Sequence, residues 1–495
     1  MTILLRSFIG LLLLVLSSSS FAQSLTWTRL PDIAIPNGDG MGSVIAPNGD
    51  ILSVDRWDAT GPVGSSTHSE TWRTSNGQNW SLSSVSKSYQ GCHSTPVVLF
   101  NSRIYQIGCD GVGGTTSVPA YDPRVKSWDG LEVGSTGWRV DATLPTLNRV
   151  GHFGFALGGQ LCFGGGQTFT SITPAPAKFF TDLWCSPDGV TWTMVTDMLP
   201  AGLHGFISSG SAPIINGEAY LWSGGTYSTS DFPNREYNDM QSIVAIGGPP
   251  NFTVRLVNAK NQMPAVLYNS VAALPLASSS SGWALLTVAG HNGVNLQSVW
   301  ASYDLGKTPV QLSNFPGPAT HAMSIAVSAN EAIVWGGLNG GQQSWHLNDA
   351  SKIHYGAAVG GTTNLGSTYT ICDRTIALTA GKTVKWLRIY MNGSHAVRPK
   401  IGRENSTTNY DFVFNGTSAT HPGGGYADFS AANYVVPSDG ATYRVCFAFS
   451  FTPGTPDAFS YTGNRSQAAG DLSGNSVTLT AQPDSATIPI GWTEY

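Results

Sequence analysis

Two stretches of this chain superimpose almost residue for residue: Glu70 to Trp80 reads ETWRTSNGQNW, and Asp182 to Trp192 reads DLWCSPDGVTW. Each is a strand, a tight Asn-Gly or Asp-Gly turn, and a second strand that opens with tryptophan. That combination is the strongest short-range signal for a β-hairpin. A second signature is a pair of apolar strands ending in Gly-Gly. It spans His152 to Gly166, Gly205 to Gly225 and Met323 to Gly337, with degenerate copies ending at Gly108 and Gly290. Joined, the two signatures define a four-stranded unit that recurs about every 50 to 60 residues, so the fold is a repeat architecture. Composition agrees: 58 glycines and 15 tryptophans, without long amphipathic helical patterns, describe a turn-rich all-β chain.

The repeats resemble kelch repeats of the galactose oxidase-like propellers, over roughly residues 24 to 350. The third repeat carries the likeness best, with Arg149, His152 and Gly164-Gly165. The first departs from it, having Asp55-Arg56 where the glycine pair belongs. The resemblance implies an all-β fold with a kelch-type β-propeller of about six blades, whose innermost strands start near residues 41, 93, 152, 204, 269 and 321. A seventh blade stays open. Thr26 to Pro31 matches Thr191-Trp192-Thr193 with its trailing Leu199-Pro200. The chain therefore begins with an outermost strand, while the last repeat stops near Ser344-Trp345-His346. The N-terminal strand is expected to complete that last blade and remove two sheet edges.

Beyond Gly356 to Gly361, which reads as a linker, the pattern changes to alternating strands such as Val384 to Tyr390 and Tyr443 to Phe451. The expected domains are a propeller over 24–352 and an antiparallel β-sandwich of jelly-roll type over 362–495. The sandwich is similar in texture to carbohydrate-binding modules and to accessory domains of phage and surface proteins.

Residues 1–22 read as an export signal: Arg6, an apolar run from Phe8 to Leu16, and Ser20-Phe21-Ala22 before the cut. The run is too short to span a bilayer. A secreted or periplasmic protein is expected, and six cysteines in such a compartment should pair. Cys92 and Cys109 are equidistant from a turn near Asn101-Ser102, Cys162 and Cys185 fall in consecutive strands, and Cys372 and Cys446 both lie beyond the repeats. Three local disulfides are the favoured connectivity, which leaves no free cysteine for a tyrosine crosslink of the galactose oxidase kind. Only 11% of residues are charged and the net charge is −5, so nucleic acid is excluded as a partner.

In a propeller, residues before each inner strand and after each Gly-Gly converge at the channel mouth. These positions hold Asp55, Arg56, His93, Asp110, Arg149, His152, His204, His291 and His321. The longest loops of the same face carry Tyr227, Arg235 and Tyr237. His93, His152 and His204 are candidate bases, with Arg56, Arg149 or Arg235 to neutralise a carboxylate and Tyr237 beside them. Asp55, Asp110, Tyr227, His291 and His321 are candidate ligand contacts. The imidazoles are also a candidate set for a divalent metal such as Mn, Fe or Zn. Each histidine has an equally good structural reading, in which it satisfies neighbouring backbone groups. Trp386 and Tyr410 are candidate sugar contacts in the C-terminal region. Ser186 to Trp192 resembles the Asp-box of sialidases, which implies a turn-stabilising element and no chemistry.

Three functions fit. The first is recognition of a polysaccharide or cell-surface glycan, suited by low charge, many aromatics and export. The second is a polysaccharide lyase or hydrolase working at the channel mouth. The third is a structural or virion-type adhesin. No Ser-His-Asp motif, phosphate loop or dinucleotide fingerprint singles out an enzyme class.

Overall fold

The computed structural model describes residues 25–58, 66–85, 87, 91–111, 120–167, 180–196, 211–226, 235–245, 251–258, 266, 268–276, 279–321, 323–328, 331–349, 353–355, 368–373, 377–391, 395–405, 409–421, 425–450, 465–469, 476–478, 480–482 and 490–494. The export signal expected over 1–22, together with His204 and Tyr227, lies outside them. The chain is all-β. Among the described residues the helical content is one 3-10 turn, Pro145–Leu147, and no helix is long and apolar enough to cross a membrane.

Two compact units are present. Among the described residues the first takes in Ile35–Ser75 and Ser81–Gly341, and the second takes in Trp27–Ala34, Asn76–Trp80 and those from Gln342 onward. These boundaries differ from the division at the 356–361 linker, because the strand at the N-terminus groups with the C-terminal residues.

Among its described residues the first unit holds five four-stranded antiparallel sheets, each a meander in chain order. Their first strands are Gly42–Ile45, Val97–Phe100, Phe153–Leu157, Ile214–Ile215 and Ser270–Pro275; a hairpin of Met323–Ser328 and Glu331–Gly336 follows. The first strands crowd one another. Ser43 Oγ donates to the Ile325 carbonyl at 2.7 Å, Ser324 Oγ to Met41 at 2.9 Å, Ser270 Oγ to Met323 at 2.6 Å and Ser211 Oγ to Val97 at 2.7 Å. A Cβ added to Gly154 would lie 2.7 Å from Pro96 Cβ. Small side chains are therefore required where the strands meet, and a cavity of about 250 Å³ remains between them, lined by residues such as Val44, Ala212, Ala272 and Ala326.

The repeated turns share one chemistry. Asp188 Oδ1 accepts from the Val190 and Thr191 amides at 2.8 and 2.7 Å, Ser186 Oγ accepts from Gly189 at 2.8 Å, and Trp192 Nε1 donates to the Gly189 carbonyl at 3.1 Å. Asn76 and Trp80 repeat the pattern, with Trp80 Nε1 donating to Gly77 at 3.1 Å. A longer variant stands at Ser302–Thr308, where Ser302 Oγ accepts from Gly306 at 2.7 Å and Asp304 Oδ1 from Thr308 at 2.8 Å. Such side-chain bonds to the backbone two to four residues on set the turn before the strands pair.

All three disulfides pair as the sequence suggested: Cys92–Cys109, Cys162–Cys185 and Cys372–Cys446. Cys162 faces Cys185, and Cys372 faces Cys446, directly across strand pairs. Cys92 does not face Cys109 in a hairpin, because it precedes the strand that begins at Val97 and the register pairs Val97 with Gln106.

In the second unit, Leu25–Arg29 lies between Ser344–Asp349 and Gly425–Val435. Leu30 N donates to Ser344 O at 3.0 Å, and Arg29 pairs with Ala427 in parallel. The adjacency to Ser344–Asp349 is the one expected; the pairing on the other edge was not. Two sheets meet face to face around Val384, Leu387, Ile389 and Phe429 from one and Val397, Ile401, Val445 and Phe447 from the other. Behind that core sits a buried ionic centre. Asp428 accepts from Arg388 Nε at 2.7 Å and Nη2 at 2.8 Å and lies 3.0 Å from His346 Nδ1. Arg388 Nη2 also donates to Thr28 Oγ1, and Gln78 Nε2 donates to the Asp428 carbonyl.

Burial alone would raise the Asp428 carboxyl, but Arg388, and to a lesser extent His346, hold it well below the usual carboxylate range. Its contribution to stability is thus present above about pH 3.9 and is lost as the pH falls below that value. Asp428→Asn leaves Arg388 buried without a counter-charge and should destabilise the protein by about 3–5 kcal/mol. Urea denaturation at pH 7 measures this, and a loss below about 1 kcal/mol would contradict it.

Candidate functional site

The site is built on the loops that precede the crowded first strands. The loop Asn37 to Gly40 is braced on both sides. Asp39 and Trp57 exchange backbone hydrogen bonds at 3.0 Å, Arg56 Nη1 donates to the Asn37 carbonyl at 3.1 Å, and Gly337 N donates to Gly38 O at 3.0 Å. Gly40 has φ +62°, and a Cβ there would lie 2.1 Å from His93 Cδ2. The chain can pass so close to the imidazole only as glycine. Ser94 N closes the contact by donating to Gly40 O at 2.9 Å.

These braces bring one buried carboxylate against two imidazoles. Asp39 is 2% exposed. His93 Nε2 lies 3.5 Å from its Oδ1 and His321 Nε2 lies 3.7 Å from its Oδ2. His321 Nδ1 is 2.6 Å from Asn295 Oδ1. The His291 ring stands edge-on to His321 at 5.7 Å between centroids, with its Nδ1 accepting from Gly293 N at 3.3 Å. Trp57 flanks His93 at 5.4 Å, and Tyr268 flanks His321 at 5.2 Å. Burial pushes the His321 imidazole down to about 4, opposed by the Asp39 carboxylate and helped by His291 and His93.

Of the positions read from the sequence, His93, His291 and His321 come together here. Asp39, Trp57, Tyr268 and Asn295 were missed. Asp39 had a usable signal, because it stands shortly before an inner strand as His93 and His321 do, within Asn37-Gly38-Asp39-Gly40. Trp57 and Tyr268 had none.

The other candidates serve the framework. His152 is fully buried, with Nε2 2.7 Å from the Ile107 carbonyl. Arg149, also fully buried, grips Asp182 at 2.5 and 2.8 Å and the Thr146 carbonyl at 2.6 Å, and stacks 3.7 Å from the Phe180 centroid. Arg56 is bound by Glu70 and lies 3.5 Å from Asp58. Asp55 occupies the left-handed region at φ 58°, where Gly108, Ala289 and Gly336 stand at 52°, 56° and 69° in other sheets. Its carboxylate accepts from Lys87 at 2.5 Å, Gln106 at 2.7 Å and Cys92 N at 3.1 Å, so it is a structural anchor. Trp386 and Tyr410 are 4% and 1% exposed and belong to the packing of the second unit, Trp386 against His346 at 4.5 Å. Burial therefore removes them as sugar contacts. Asp110, Arg235 and Tyr237 lie on strands; His204 and Tyr227 lie outside the described residues.

One group of ligand-type atoms, Cys92, Cys109 and Asp122, gathers within 4.8 Å. Its sulfurs are joined in a disulfide and offer no thiolate. The chain matches no protein-family profile and no curated protein sequence.

Burial pushes the His152 imidazole from 6.5 down to about 3, only partly offset by its bond to Ile107. The unfolded chain then binds the extra proton between those values, so the stability that His152 contributes is present above about 6.5 and falls as the pH drops toward 3. Urea denaturation of wild type and His152→Asn should show the difference between them shrinking from pH 7 to pH 4. A pH-independent difference would contradict it.

Proposed function

We propose that the chain is an exported glycan-binding protein, a six-bladed β-propeller whose closing outer strand is Leu25–Arg29, with a jelly-roll sandwich at its C-terminus. The propeller reading is supported by the five successive meanders and by the serine bonds that join the final hairpin back to the first sheet. Export is supported by three disulfides and by the N-terminal signal pattern.

The observation that carries the function is the gathering of Trp57, Tyr268, His93, His291 and His321 around Asp39 at one end of these sheets. Sugars offer an apolar C–H face and a rim of hydroxyls. Trp57, a partly exposed ring beside fixed hydrogen-bonding groups, matches both, while the buried Tyr268 ring backs His321 from within. A lyase is supported less, because it needs a cation free to meet a uronate. Arg56 and Arg149 are already committed to Glu70 and Asp182.

A glycan array probed with the full mature chain, followed by calorimetry on the hits, tests the proposal. Trp57→Ala and His93→Ala should each weaken binding roughly tenfold, the loss of one good contact. Absence of binding to plant, algal and bacterial polysaccharides alike would sink it.

A further inference from the structure

The Asp39 carboxylate is buried without a counter-charge against it. It is 2% exposed, and its Oδ1 meets no hydrogen-bond donor among the described residues. The two imidazoles that line the site face it from beyond good hydrogen-bond range, His93 Nε2 at 3.5 Å and His321 Nε2 at 3.7 Å. Burial keeps the His321 ring neutral at pH 7, so that ring supplies no positive charge. A buried carboxylate in this state costs free energy, which an incoming cation offsets.

The cations nearby are already engaged. Arg56 donates to Glu70 and, at 3.1 Å, to the Asn37 carbonyl, and it lies 3.5 Å from Asp58. Lys87 is held by Asp55 and Lys126 by Asp122, each at 2.5 Å, and both amines are buried. Around Trp57, then, Asp39, Asp58 and Glu70 set three carboxylates against the one guanidinium of Arg56. Trp57 ties these groups together. Its backbone exchanges two hydrogen bonds with Asp39 at 3.0 Å, and its partly exposed indole flanks His93. An aromatic face beside an uncompensated carboxylate attracts an organic ammonium group.

We propose that the site takes a cationic glycan, one built of amino sugars whose nitrogen is not acetylated, and that Asp39 selects the charge. The inference rests on the glycan reading for the sugar and on the carboxylates for the ammonium group. Direct contact with Asp39 is not required. Its charge sits in poorly solvated surroundings, where attraction across several ångströms is far stronger than in water. Asp58 and Glu70, 24% and 18% exposed, carry the same sign closer to solvent. A uronate meets repulsion from the same three groups. A neutral sugar gains the Trp57 ring and hydrogen bonds alone.

The full mature chain is titrated by calorimetry with glucosamine oligomers, the same oligomers N-acetylated, polygalacturonate and spermidine. The amine form should bind roughly tenfold tighter than the acetylated form, with polygalacturonate weakest. Raising the ionic strength from about 0.05 M to about 0.5 M should shrink that preference. Asp39→Asn keeps the shape without the charge and should remove most of the preference. Asp32→Asn, which neutralises an exposed carboxylate of the second unit, should keep it. Circular dichroism and thermal melts establish that each variant folds, and the wild-type comparison decides the preference even where one does not. Equal or tighter binding of the acetylated oligomers, or an unchanged preference in folded Asp39→Asn, overturns the proposal while the glycan reading stands. Spermidine binding that Asp39→Asn abolishes, without affinity for any oligomer, overturns the glycan reading and leaves an ammonium site. No binding of any of the four probes overturns both.

Discussion

Close approach of the first strands governs the N-terminal unit. Backbones can come that near only when the side chains between them are small and when polar groups reach across the gap. The sequence supplies serine at Ser43, Ser211, Ser270 and Ser324, each donating to a carbonyl of another sheet, and glycine at Gly154. The same crowding decides where the loops go. Loops that enter adjacent first strands must open at one end of the sheets, so Asp39, His93 and His321 meet although they are far apart in the chain. The site is a by-product of the packing that holds the sheets together.

Departures from the repeat pattern show how strongly local geometry is enforced. Two second strands carry a left-handed residue at a bulge, Asp55 within Ile51–Asp58 and Gly108 within Arg103–Gly111, a conformation that glycine enters freely and aspartate with some strain. At Asp55 the carboxylate is held by Lys87, Gln106 and the Cys92 amide. These bonds offset the strain and make the substitution informative. The first repeat exchanged a conformational convenience for a buried polar anchor next to the Cys92–Cys109 bridge. Burial pushes the Lys87 amine down to about 8 even with Asp55 against it, a measure of how dry that anchor is.

Legibility in the sequence followed the range of the interaction. Turns made by Asp188 or Asn76 and the Cys92–Cys109 and Cys162–Cys185 bridges, 17 and 23 residues apart, could be read directly, and Cys372–Cys446, 74 apart, was legible because both cysteines lie beyond the repeats. The Ser302–Thr308 turn was harder to read, since its glycine comes one residue later after the serine and aspartate and no tryptophan follows. The site was half legible. His93, His291 and His321 stood at the right places in the repeat, but so did His152 and Arg149, which face inward and bind Ile107 and Asp182. Inward or outward is decided by how one sheet stacks on the next, and no local pattern records that. Trp57 and Tyr268 belong to the site for the same non-local reason.

The second unit carries contacts of very long range in sequence, among them the pairing of Arg29 with Ala427. Arg388 donates to Thr28 across a separation of 360 residues, and Gln78 donates to the Asp428 carbonyl across 350. Both bonds brace the residues of one ion pair, Arg388 and Asp428, whose carboxylate would be intolerable in the core without the guanidinium. The strand Leu25–Arg29 is thus tied on one side to Ser344–Asp349 and on the other to the residues around Arg388 and Asp428. Contacts of such separation are the slowest to form, because the closure entropy of the whole intervening chain precedes any gain from them. The repeats, by contrast, close over short loops, so the bonds of Leu25–Arg29 to the C-terminal residues carry the larger closure cost.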